Sequence, residues 1–106
     1  MANNFADAQV AISNNSLTDI YTASNKSMVI DGLLTNTGTT SINVTLKKYD
    51  ASGTADFVLY NTMPLPSGSS LKINKVVLQT SDKIKAQSDN SSGNLTCTLQ
   101  LLTDVT

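Results

Sequence analysis

Short groups of turn-forming residues recur along this chain at regular intervals, and this spacing constrains the fold more than any other feature. Asn, Gly, Ser, Asp and Pro favour turns because they tolerate or preset the backbone angles that a turn requires. The segments between the groups span about 6 to 12 residues, which is typical of an antiparallel sandwich or barrel. The turn signals are Asn14-Asn15, Ser24-Asn25, Asn36-Thr37-Gly38, Ser52-Gly53, Pro66-Ser67-Gly68, Ser81-Asp82 and Asn90 through Asn94.

Most of the intervening segments alternate apolar and polar residues, as half-buried strands do. In residues 41–47 (S-I-N-V-T-L-K) every second side chain is apolar, and residues 95–99 (L-T-C-T-L) repeat the pattern. The sequence therefore predicts an all-β chain, an antiparallel β-sandwich that is Ig-like or jelly-roll-like with about 7–8 strands. Strands are predicted at residues 8–13, 18–23, 27–36, 41–49, 56–63, 69–79, 83–88 and 94–104.

Two segments depart from simple alternation. Within 69–79 the pattern breaks at residues 76–78 (V-V-L), which indicates a bulge or cover on both faces. Residues 28–34 (M-V-I-D-G-L-L) predict a strand buried on both sides, with Gly32 at a bulge or a close backbone approach. Residues 1–15 are expected to be an N-terminal arm or an extra strand, and residues 16–106 the β-sandwich domain.

The composition removes most catalytic chemistry. All seven basic residues are Lys and all eight acidic residues are Asp, while Ser, Thr and Asn make up 38 of the 106 residues. Without His the commonest general acid-base group is missing, and without Arg there is no bidentate phosphate clamp. The prediction is that the protein is not an enzyme and needs no cofactor. The formal net charge of −1, the scattered lysines and the lack of a long apolar run argue against nucleic-acid and membrane partners.

Two fragments imitate functional motifs. Ser69 and Lys72 match S-x-x-K, and residues 88–90 read S-D-N, but a strand would place Ser69 and Lys72 on opposite faces. Residues 50–56 (D-A-S-G-T-A-D) have the odd-position oxygens of a calcium loop, with the glycine misplaced and Asn61 at the twelfth position. We expect a hairpin turn there, and we assign no catalytic, cofactor-binding or metal-binding residue.

Three other features have structural interpretations. Cys97 lies in an alternating run and is expected to be a small core residue instead of a reactive thiol. Lys47-Lys48 is interpreted as a solvated strand end or a protected edge. Residues 63–66 (M-P-L-P) are interpreted as a strand that ends in a loop, with a docking ridge as the alternative.

Three segments together resemble the layout of small bacteriophage virion structural proteins of β-sandwich type. Residues 18–30 resemble their opening strand, turn and second strand, and residues 33–46 the following hairpin. Residues 65–106 resemble the second half, with L-P-S-G-S-S-L-K-I, V-V-L-Q-T-S-D-K-I-K-A-Q-S and N-L-T-C-T-L-Q-L-L in order. The resemblance implies a capsid cement or decoration protein that stabilises the phage head by bridging capsomers.

The resemblance also implies partners and a location. The expected partners are the major capsid protein and neighbouring copies of the same chain, as a trimer or dimer, on the capsid surface of a virion. Synthesis is expected in the host cytoplasm, where a single Cys stays reduced. The alternatives are a phage neck or tail component, or a receptor- or carbohydrate-binding β-sandwich module. For the last of these, Tyr49 and Tyr60 flank one predicted hairpin and are the candidate sugar platform, with a cross-strand packing pair as the plainer interpretation.

Overall fold

The computed structural model describes residues 4–104, which form nine strands in two antiparallel sheets. Sheet A has the order β1-β9-β3-β6, with β7 also paired to β3, and sheet B has the order β2-β8-β4-β5. The all-β prediction is confirmed. The strands are β1 (Asn4–Ile12), β2 (Thr18–Thr22), β3 (Ser27–Asn36), β4 (Ile42–Asp50), β5 (Ala55–Leu65), β6 (Ser70–Ile73), β7 (Val76–Leu78), β8 (Lys83–Ser88) and β9 (Leu95–Thr103).

The strands pair antiparallel as one long hairpin, the first half of the chain against the second, and this hairpin is rolled into two layers. The β4–β5 hairpin lies at its tip, β3 pairs with β6 and β7, β2 pairs with β8, and β1 pairs with β9. Rolling the long hairpin adds the pairs β3–β9 and β4–β8. When β6 and β7 are counted as one interrupted strand, this is the eight-stranded order of a jelly roll, one of the two arrangements that the sequence left open.

Alternation along the strands builds the core. In β8, in residues 42–46 of β4 and in residues 95–101 of β9 every second side chain is buried, and the residues between them are partly or fully exposed. The buried side chains of both sheets meet in one layer, as sandwich packing requires. Cys97 is one of them, so its expected core position is confirmed. The buried apolar residues are Ile12, Ile20, Ala23, Val29, Leu34, Ile42, Val44, Leu46, Leu65, Ile73, Leu78, Ile84, Ala86, Leu95, Cys97, Leu99 and Leu101.

The segment predicted at 69–79 is two short strands separated by Asn74 and Lys75, both paired with β3. Beside it, the expectation that residues 28–34 are buried on both faces is wrong. Val29 and Leu34 are fully buried, but Leu33 is 47% exposed because nothing among the described residues covers the outer face of sheet A.

Gly32 permits a close approach between strands. A Cβ there would lie 2.9 Å from the Thr98 carbonyl oxygen and 3.0 Å from Leu99 Cδ2. The register of β3 with β9 also shifts between Val29 and Asp31, next to this glycine. Of the two features anticipated for Gly32, the close backbone approach is present at the glycine, whereas the bulge lies at Ile30, two residues earlier.

Residues 4–12, for which the sequence left an arm or a strand open, form β1 at the edge of sheet A, and residues 1–3 lie outside the described range. Lys47-Lys48 does not protect an edge, because β4 lies between β8 and β5. The edge strands of sheet B are β2 and β5, and β5 carries Pro64. An edge position explains how a proline, which donates no ladder hydrogen bond, fits in this strand.

One buried amide closes the first end of the sandwich. Asn36 is 1% exposed, and its Nδ2 donates to the carbonyl oxygens of Thr40 (2.8 Å) and Leu65 (3.0 Å). Its Oδ1 accepts a hydrogen bond from the amide of Gly38 (2.9 Å). Three hydrogen bonds from one side chain therefore join the β3–β4 turn to the end of β5.

A buried carboxylate does the same at the opposite end. Asp82 is 2% exposed, and its two oxygens accept hydrogen bonds from the amides of Ala51 (3.0 Å) and Gln79 (2.9 Å). The Nζ of Lys48 lies 3.8 Å from Asp82 Oδ2. The carboxylate thus ties the β4–β5 turn to the β7–β8 loop, and hydrogen bonds satisfy the oxygens that burial removes from water.

We expect Asn36→Asp to lower the free energy of unfolding by about 2 kcal/mol or more, because an oxygen replaces the donor that faces two carbonyl groups. Urea denaturation followed by circular dichroism measures the loss. The matched control is Asn15→Asp on an exposed turn, which should change stability by less than about 0.5 kcal/mol. Equal denaturation midpoints for the two variants would contradict the role of Asn36.

Candidate interaction surfaces

The fold disperses the residues that imitate catalytic motifs. Ser69 lies in the turn before β6, where its amide donates to the carbonyl oxygen of Pro66. Lys72 lies in β6 and pairs at 3.9 Å with Asp31. Ser88 ends β8 in the other sheet, and its Oγ accepts a hydrogen bond from the amide of Asn90. These groups belong to local turns and ion pairs, and they do not converge on one site.

The calcium-like segment is the β4–β5 hairpin turn. Asp50 Oδ1 accepts hydrogen bonds from the Ser52 amide (3.1 Å) and hydroxyl (2.8 Å), and the Ser52 hydroxyl is the main cause of a lowered Asp50 pKa. Asp56 points instead to Lys85, at 3.3 Å. Among residues 4–104 no group of three or more acidic or Cys side chains is placed to hold a metal ion.

The two tyrosines proposed as a sugar platform are separated by the fold. Tyr49 pairs with Asp56 and Tyr60 pairs with Leu46, so they are not cross-strand partners. Tyr60 packs against the core, and its hydroxyl donates to the Lys72 carbonyl oxygen at 2.6 Å. Tyr49 faces outward on sheet B. The register shifts in β5 produce this separation, which alternation in the sequence does not reveal.

Tyr49 belongs to a cluster of charges on the outer face of sheet B. Lys85 Nζ lies 4.7 Å from the centre of its ring, and Lys83 Nζ lies 5.8 Å from it. Asp56 and Asp19 each lie 3.3 Å from one of these lysines. The positive charges on this face are thus largely balanced locally, and each such surface pair contributes at most about 1 kcal/mol.

The outer face of sheet A carries an exposed apolar row across four strands. Phe5 of β1 is opposite Leu102 of β9, Leu102 is opposite Met28 of β3, and Met28 is opposite Val77 of β7. Phe5 is 83% and Val77 52% exposed, while the two central residues are half-buried. We call these four residues the apolar row. A contiguous apolar stripe of this kind is typical of an interaction surface.

Mostly polar side chains cover the rest of this outer face. The next row contains Asp7, Gln100 and Asp31, and the one after it contains Gln9, Thr98 and Leu33, of which Leu33 is apolar and 47% exposed. These side chains offer many hydrogen-bond donors and acceptors but few charges. An apolar stripe beside such a polar region has the composition of a protein–protein interface and its rim.

The sequence contained a signal for the apolar row. Met28, Val77 and Leu102 each stand next to a buried apolar residue, so each interrupts strict alternation. In residues 28–34 we interpreted such an interruption as burial on both faces. Its other meaning, an apolar side chain on an exposed outer face, becomes recognisable only when the strand pairing is known.

No protein family and no curated protein sequence matches this chain. Solved structures that are similar to it include two described as pentameric capsid proteins isolated from metagenomic phage sequences. They have 18% and 17% sequence identity to this chain, each with a TM-score of 0.43, and each alignment covers 94% of it. The chain spans 62% and 60% of the lengths of those proteins. No helix among the described residues is long and apolar enough to cross a bilayer.

The buried thiol generates one prediction. Burial raises the pKa of Cys97 to about 12, so its thiolate fraction at pH 8 should be about 1,000-fold below that of an exposed thiol. We expect a thiol-specific chromogenic reagent to react extremely slowly with the native protein. With the guanidinium-denatured protein it should react as fast as with a control peptide that contains one exposed Cys. Rapid stoichiometric labelling of the native protein would contradict the burial of Cys97.

Proposed function

We propose that the protein is a structural component of a bacteriophage particle, and that it acts as a capsid cement or decoration protein. In this role it bridges neighbouring capsomers on the outside of the head, contacting the major capsid protein and other copies of itself as a homo-oligomer. The observation that carries the proposal is the apolar row within a weakly charged, Thr- and Gln-rich outer face.

The chemistry of the described surface supports this proposal over an enzymatic one. The Ser, Lys and Asp groups that imitate catalytic motifs lie in separate turns and ion pairs. A cement protein needs no reactive group, since its effect comes from interface area multiplied over many copies. The jelly-roll strand order is compatible with it, because such folds occur in viral capsid and lectin domains. A fold alone does not decide between those functions.

The resemblance in residues 16–106 to small phage virion proteins supports the same class of function. The carbohydrate-binding alternative loses its main support, because the packed Tyr60 and the outward Tyr49 do not form a joint platform. A neck or tail component would give density away from the outer shell of the head, so imaging of purified particles distinguishes it from a cement protein.

Mass spectrometry and cryo-electron microscopy of purified particles test the proposal. We expect the chain in many copies per particle, with density on the outer shell over boundaries between capsomers. Absence of the chain from intact particles would overturn the structural role. Density confined to the neck or tail would overturn the cement role and leave the broader one standing.

A surface variant tests whether the apolar row contacts the shell. Val77→Asp places a charge in the row, so we expect at least a tenfold loss of occupancy when the purified variant is added to particles that lack the protein. The matched control is Thr22→Asp, an exposed strand residue on the opposite face, which should bind as wild type. Equal occupancies of the two variants on quantitative gels would exclude the row as the capsid contact.

A further inference from the structure

Phe5 is the most exposed large apolar side chain among the described residues, with 83% of its surface in solvent. It lies near the start of β1, at one edge of sheet A. A phenylalanine gains roughly 1.5–3 kcal/mol from full burial, and its exposure forfeits most of that gain in the isolated chain. The side chain has the properties of an anchor that is buried only in an assembly.

A cleft at the opposite edge of the molecule has the size and lining to receive such a ring. It opens between β5 of sheet B and the break that separates β6 from β7 in sheet A. Leu59, Tyr60, Asn74, Lys75 and Val76 surround it above the buried side chains of Leu46 and Ile73, and its volume is about 190 Å³. An enclosed apolar cavity of about 150 Å³ binds benzene, so this half-open cleft has the volume for one aromatic ring.

The charges beside the two features are complementary. Asp7 follows Phe5 by two residues, so both side chains lie on the outer face of β1, roughly 7 Å apart along the strand. Lys75 lies in the β6–β7 break and lines the cleft. Neither side chain forms an ion pair with another residue in the part of the chain that the structure describes.

We propose that Phe5 of one copy inserts into the β5/β6–β7 cleft of a second copy, with Asp7 placed beside Lys75 of that copy, which leaves Leu102, Met28 and Val77 of the apolar row for contact with the shell. Because the anchor and the cleft lie on opposite edges of one molecule, the contact is head to tail. Such a contact repeats from copy to copy and produces a ring if the rotation closes, or an open chain if it does not. The head-to-tail contact specifies how copies would associate in the proposed cement role. Only the location of this contact on a phage particle rests on the proposed function.

Mixing two variants of the purified full chain tests the contact. Phe5→Ser removes the anchor and keeps the cleft, while Leu59→Asp places a charge at the cleft wall and keeps the anchor. We expect wild type to form assemblies of three or more chains by size exclusion with light scattering, and each variant alone to have the mass of one chain. An equimolar mixture should have the mass of two chains, because one intact anchor meets one intact cleft.

Two controls separate this contact from loss of fold and from other contacts. Phe57→Ser removes another exposed apolar ring, 54% exposed on β5 outside the cleft, and should leave the assembly unchanged. Thermal unfolding checks that each variant folds. Asp7→Lys should weaken assembly at least tenfold, and adding Lys75→Asp to the same chain should restore it. If Leu59→Asp assembles alone or the mixture stays monomeric, the contact is not head to tail through the cleft.

A monomeric wild type at all soluble concentrations would also overturn the contact. Particle binding is measured separately, through the occupancy of Val77→Asp and Thr22→Asp. Light scattering can therefore contradict the self-contact while particle occupancy supports the cement role. The opposite combination of results can be recognised in the same way.

Discussion

Burial of alternate apolar side chains between two sheets is the constraint on which the rest of this structure depends. The chain has no internal disulfide, since Cys97 is its one cysteine and is buried as a thiol. Many of its outward positions carry Thr, Ser, Asn or Gln, whose exposed hydrogen bonds add little net stability. The inward set must therefore supply most of the driving force for folding. This explains why residues such as Val44, Leu46, Ile84 and Leu99 leave no surface to solvent.

The two ends of the sandwich pose a different problem, because loops there bring backbone polar groups close to an apolar core. Asn36 and Asp82 solve it with single buried side chains that each connect separate loops. Every buried side-chain nitrogen or oxygen among residues 4–104 has a hydrogen-bond partner. Gly93 contributes at the first end, because a Cβ there would overlap the backbone carbonyl of Ile12. Its positive φ of 74° is a second reason for glycine at this position.

Local pattern was enough to predict strands and sandwich, but not the partners of each strand. Alternation identified β4, β8 and β9 nearly to their ends, because one face of each is buried and the other is wet. The nesting of β1 against β9 depends on contacts between distant segments, which no local pattern encodes. The separation of Tyr49 from Tyr60 was beyond prediction because of a register shift in the β4–β5 hairpin. This shift, between Leu46 and Lys47, decides which face Tyr60 occupies.

Two of the edge strands, β5 of sheet B and β1 of sheet A, differ in a way that bears on how copies can meet. β5 has two register shifts against β4, a positive φ at Thr62 and a proline at position 64. Such irregularities make a strand a poor template for adding another. β1 pairs with β9 over nine residues without a shift, and Asp7 is its one charged residue. Backbone pairing between two β5 edges is therefore disfavoured, and recognition at that edge must come from side chains. The cleft between β5 and the β6–β7 break is where the fold leaves room for a side chain of another copy.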